Sequence, residues 1–150
     1  MKTLTNAEIK ELCQSLKEHL GAVLKTDDFV FIKAGEDKIR ATTPETMETA
    51  PKIRGVQLVG LYVGKKRKQF STLTIEGCML LSDVEEAYVV NLTREQALAW
   101  MKGGPVALNT AHRTVIGRYR RFCLGTALVD RTGKAYPQIP VWRRIPPASD

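Results

Sequence analysis

Histidine and cysteine are scarce in this chain: two and three among 150 residues. His19 and His112 stand alone, and Cys13, Cys78 and Cys123 lie far apart with no C-x-x-C pair. That scatter argues against a structural zinc site or a disulfide framework, and predicts reduced thiols in apolar surroundings. Only Cys123, in the run RRFC, has cations close by in sequence, and neighbouring positive charge lowers a thiol pKa. Long apolar runs are missing as well. None approaches the ~20 residues that span a bilayer, and the N-terminal MKTLTNAEIKEL is too charged for a secretory leader. The expectation is a soluble, cytoplasmic protein with no membrane contact.

Catalytic motifs are equally sparse. Glu85–Glu86 and Asp27–Asp28 are adjacent pairs, and in extended chain neighbouring side chains diverge, which suits no acid/base couple. Gly64–Lys65 is a fragment of a phosphate loop without its glycines, and no glycine motif of the S-adenosylmethionine type follows a predicted strand. A non-enzyme without a cofactor is expected.

Positive charge is what the chain has in excess. The net charge is +7, distributed unevenly: residues 1–50 hold seven Lys/Arg and nine Asp/Glu, whereas residues 51–150 hold sixteen and seven. A basic C-terminal portion behind a near-neutral N-terminal one suggests contact with nucleic acid.

The pattern predicts two units. Thr5 and Glu8 form a capping box, after which Ile9, Leu12, Leu16, Leu20 and Val23 recur at helical spacing. FVFIKAGEDKIRATT reads as a hairpin turning at Gly35, TPETMETA as a helical turn, and Val56 to Val63 as a strand covered on both faces. Residues 1–68 thus make an α/β unit of about seventy residues, too small to bury a large core alone. From residue 69, FSTLTIEGCMLL and AYVVNL precede a helix capped by Thr93 and Gln96 and stopped at Gly103–Gly104–Pro105. PVAL, TVIGRYRRF, LGTALVD and QIPVWRRI then read as short strands of a small β-barrel, with Trp100 and Trp142 in its core. The fold class expected is α+β, with a barrel over 69–150.

The order of a strand, a short helix, VVNL, a helix ending WMKGG, strands carrying RFCLGTA and a final PVWRR resembles a PUA domain. From GVQLVGLYVGKKRKQFSTLTIEG to IPVWRRI the chain is similar to the PUA-like C-terminal module of the Fmu/Sun RNA cytosine-5 methyltransferases and their free-standing archaeal relatives. The L-G-x-G step of those modules reads here as Leu124-Gly125-Thr126-Ala127, without the second glycine. The resemblance implies a PUA-like pseudo-barrel that binds RNA without catalysis, with an extra domain before it as in small ribosome-assembly factors.

Three groups of residues are the candidates for that contact. Lys65, Lys66, Arg67 and Lys68 are consecutive, with no acid between Gly60 and Glu76, and such a run is either a solvated turn or a phosphate-binding loop. Arg118, Arg120 and Arg121 surround Tyr119. In one continuous strand Arg118 and Arg120 would share a face, and Tyr119 and Arg121 the other. Arginine forks phosphates and stacks on bases, Tyr119 is either a stacking platform or core, and Glu85, Glu86 and Asp130 are alternative partners for the arginines. Of Arg143 and Arg144, one would join the basic face. The expected function is binding of structured rRNA or tRNA in RNA modification or ribosome assembly, beside an RNA methyltransferase or a pre-ribosomal particle. The alternative is an adaptor that docks a larger RNA-processing enzyme.

Overall fold

The structure, a computed structural model, describes residues 2–148. A short strand β1 (Lys2–Thr3) leads into α1 (Asn6–Leu20), where the Thr5 capping box forms as expected: the Glu8 N–H donates to Thr5 Oγ1 and the Thr5 N–H to Glu8 Oε1, both at 3.2 Å. Gly21, at φ 57°, ends the helix and returns its N–H to the Leu16 and Lys17 carbonyls. Val23 therefore belongs not to the helix face but to the next strand, β2 (Ala22–Leu24), where it is exposed. The predicted hairpin is β3 (Val30–Ala34) and β4 (Lys38–Thr42), followed by α2 (Pro44–Thr49).

The strand expected over Val56–Val63 begins only at Leu61. Gly55 and Gly60 sit at φ 85° and 80°, which breaks extended chain, and Leu58 is exposed. β5 (Leu61–Lys66) then turns into β6 (Ser71–Leu73), so the expected boundary between 68 and 69 falls inside a hairpin. Next come α3 (Ile75–Met79), β7 (Leu81–Val84), β8 (Val89–Asn91) and α4 (Arg94–Met101), which carries the predicted Thr93–Gln96 capping box. The chain finishes with β9 (Val106–Ala107), β10 (Thr114–Tyr119), β11 (Phe122–Val129) and β12 (Lys134–Pro137).

These elements form a mixed α+β fold. The N-terminal region holds an antiparallel sheet in the order β1-β3-β4-β5-β6, and the C-terminal sheet, β8-β10-β11-β12-β9, curls into a half-barrel with a parallel β8–β10 pair. A β2–β7 ribbon completes the arrangement. Leu12, Leu16 and Leu20 of α1 pack against Phe31, Val63 and Leu73, and Ile116 from the C-terminal sheet joins them. A second core surrounds Trp100, which is fully buried and donates its indole N–H to the Leu124 carbonyl at 2.8 Å.

Trp142 is not core. It is 74% exposed, in a 3-10 turn spanning Val141–Arg143 rather than a last strand. Pro137 and Pro140 explain the correction, because neither can donate to a ladder. Arg143 and Arg144 consequently do not alternate across a sheet.

The two sheets are joined at β6. The Leu73 N–H donates to Thr126 Oγ1 at 2.9 Å, and the same hydroxyl donates back to the Leu73 carbonyl at 3.3 Å. Ser15 of α1 meets Ser71 hydroxyl to hydroxyl at 2.8 Å. Thr126 is completely buried, so removing its hydroxyl strands two backbone groups away from water. Thr126→Val is expected to lower the unfolding free energy by about 1–3 kcal/mol in urea titration, and Thr126→Ser to recover most of that loss.

Candidate functional site

The register of the N-terminal sheet places like charges side by side. Lys38 of β4 stands directly across from Lys65 of β5, Arg40 across from Tyr62, and Lys65 across from Thr72 of β6. Directly opposed residues share a face, and like charges so placed destabilise the pairing by up to about 1 kcal/mol. The chain leaving β12, from Pro137 through Trp142 to Arg144, forms a facing wall. Between the walls lies a groove of about 500 Å³ lined by Lys38, Arg40, Lys65, Arg144, Tyr62, Trp142, Gln138 and neutral neighbours, with no carboxylate among the lining residues.

Some of these groups are already engaged. Arg40 donates Nε to the Val59 carbonyl at 3.0 Å and Nη2 to the Gly60 carbonyl, which pins the 53–60 loop. The Thr74 hydroxyl caps α3 and donates to the Tyr62 carbonyl at 2.6 Å. Arg144 donates Nε to the Ile139 carbonyl at 3.0 Å. The Lys38 ammonium lies 5.8 Å from the Tyr62 ring centre. Burial pushes the Tyr62 phenol up, and the Asp37 charge adds to that, so it presents a neutral hydroxyl. Arg143, ion-paired with Glu76, covers one face of the Trp142 indole at 5.9 Å. The remainder of the indole stays open beside the groove.

The predicted residues separate into distinct groups. Lys65 and Arg144 line the groove. Lys65 and Lys66 belong to β5 rather than to a loop, and Lys66 donates to the Arg67 carbonyl at 3.2 Å. Arg67 pairs with Asp37 at 3.1 Å and lies over Phe70, while Lys68 is exposed in the β5–β6 turn. None of Arg118, Arg120 and Arg121 lines the groove.

TVIGRYRRF is not a single strand. Tyr119 pairs with Phe122 across a two-residue turn formed by Arg120 and Arg121, so the strand-parity argument stops at Tyr119. Arg120 has φ 56°, and a positive φ at the first central position is the habit of type II′ turns, which favour glycine there. Each tip arginine lies over its neighbouring ring, Arg120 on Tyr119 and Arg121 on Phe122, both at 5.3 Å. Tyr119 itself packs against the second core. Arg118 grips both oxygens of Glu86 at 3.0 and 2.7 Å and the Asn91 side chain at 3.0 Å. That fork holds the Glu86 carboxyl below its ordinary range, so the pair loosens only as pH falls through the lowered value. Likewise His112 has a partner after all, stacking on Tyr88 at 4.2 Å.

Sequence reasoning missed Lys38, Arg40, Tyr62, Gln138 and Trp142. Pro140 and Pro146 on either side of Trp142 were the available signal against a buried strand tryptophan. Among the described residues no cluster of three or more His, Cys, Asp or Glu side chains could hold a metal ion, and no helix is long and apolar enough to cross a membrane. No protein-family model matches the chain, and no curated protein matches it in sequence.

A non-glycine residue held at φ 56° costs about 1 kcal/mol. Arg120→Gly is expected to raise the unfolding free energy by about that amount, whereas Arg120→Ala, which keeps a Cβ, is expected to give no such gain in the same denaturant titration.

Proposed function

We propose that this chain is a non-catalytic RNA-binding protein that holds structured ribosomal or transfer RNA by its backbone, with an unpaired base stacked on Trp142. The observation that carries this reading is the groove: Lys38 and Lys65 face each other across adjacent strands, Arg144 stands opposite, and among the described residues no carboxylate lines the walls. A phosphate between two opposed ammonium groups converts their mutual repulsion into two attractions. A half-open indole backed by a fixed guanidinium offers a stacking platform for a base of any identity. Recognition of this kind reads backbone and shape, as the resemblance to PUA-like modules also suggests. The protein then serves as a placement device for a modification enzyme or a pre-ribosomal particle.

One observation favours the adaptor reading. Beside α2, a largely apolar cavity of about 530 Å³ is lined by Ile53, Val56, Leu58 and Val59, with Ile53 and Leu58 exposed. A protein partner would find buried contact area there, and both roles fit on one chain.

The test is binding of a stem-loop RNA with an unpaired tail across a salt series. Three groove cations that each neutralise a phosphate give a slope of roughly −2 to −3 in log affinity against log salt. Lys38→Glu/Lys65→Glu is expected to weaken binding by more than tenfold. Trp142→Ala is expected to weaken binding of the tailed RNA but not of a blunt duplex. No binding by the wild type at low salt, or a double variant that binds as tightly, overturns the reading and leaves the apolar cavity as the lead.

A further inference from the structure

Two thiols meet where α3 packs on β11. Cys78 is buried in α3, and Cys123 is half-buried in β11, directly across the ladder from Arg118. Gly125 lets β11 approach β6 and the start of α3 closely. At φ 87° its Cα side lies so close to β6 and α3 that an added Cβ would stand 3.0 Å from the Leu73 carbonyl oxygen and 3.4 Å from the Ile75 nitrogen. Both cysteines also line a surface cavity of about 330 Å³, together with Ser82, Asp83, Glu86 and Arg118.

The environments of the two sulfurs differ. Cys78 and the Gly125 backbone lie beside Cys123, and the Arg118 charge is near; together these hold the Cys123 thiol below its ordinary value. Cys78, facing a second thiol and the more buried of the two, is pushed well above its own. Cys123, the more exposed of the two and directly across the ladder from Arg118, is the nucleophile of the pair, and Cys78, on the wall of the same cavity, is the reserve thiol. Cys13 is the internal comparison: burial alone acts on its thiol and raises it.

We propose that Cys123 and Cys78 form an oxidative modification site, in which a hydroperoxide converts the pair to an intrachain disulfide. The Cys123 thiolate attacks the peroxide, the O–O bond breaks, and an alcohol or water leaves while Cys123 becomes a sulfenic acid. The Cys78 sulfur then attacks Cys123, the S–O bond breaks, and the Cys78 proton departs with the hydroxyl as water. The two sulfurs give up two electrons in all, and the hydroperoxide accepts them. The product bond ties α3 to the strand that leaves the arginine-tipped hairpin.

The experiment treats the intact protein with one equivalent of hydrogen peroxide and then alkylates the remaining thiols under denaturing, non-reducing conditions. Mass spectrometry is expected to find Cys13 alkylated, the chain lighter by two hydrogens, and a Cys78–Cys123 cross-linked peptide. In Cys78→Ser a sulfenic acid at Cys123 is expected to persist and be trapped by dimedone. Because either cysteine variant could misfold, a second measurement uses the wild type alone: limiting iodoacetamide on the native protein should label Cys123 at least several-fold faster than Cys13 or Cys78. Three unreacted thiols, an interchain disulfide, or labelling led by Cys13 would overturn the proposal.

Discussion

One threonine hydroxyl holds the two halves of this molecule in register. β6 is only three residues long and forms the last strand of its sheet, so Leu73 presents a buried N–H and carbonyl with no further strand to receive them. A buried backbone group left unpaired costs more than an average hydrogen bond returns. Thr126 answers both groups from the other sheet, and the Ser15–Ser71 contact ties the same strand to α1. The groove depends on this joint. One of its walls is the β4–β6 face, and the other is the chain that follows β12. Neither wall encloses anything alone.

The distribution of charge follows the same division. Where arginines carry structure, each has a partner: Arg118 with Glu86, Arg143 with Glu76, Arg67 with Asp37. Where lysines face one another in the groove, no carboxylate among the described residues lines the space. A surface that was merely solvated would gain from one acid placed between Lys38 and Lys65, since opposite charges across a ladder stabilise it. Two opposed cations are instead a cost to the ladder, which an anion seated between them would remove.

Much of the local structure could be read from residue order. The capping boxes at Thr5 and Thr93 and the hairpin at Gly35 depend on side chains within a few positions of one another, and they form as predicted. So does the burial of Trp100. The errors came where a local pattern is ambiguous or absent. An Arg–Arg turn carries no glycine or asparagine to announce it, so a hairpin read as a strand and its arginines were assigned to sheet faces. The groove was illegible for a different reason. Its residues come from β4, β5, β6 and the segment after β12, and they meet only through a ladder register and a tertiary joint.

The Thr126–Leu73 joint also sets an order of events during synthesis. Its partners are separated by 53 residues, and Ile116, which completes the first core, is likewise made well after α1 and the strands beneath it. A chain emerging from its N-terminus can cap α1 and close the β3–β4 hairpin at once. It must then wait, with the β6 edge still unsatisfied, until β11 has been translated. The joint thus forms only after both of its strands have been made, and the N-terminal sheet has its last edge satisfied by the half-barrel rather than by its own residues.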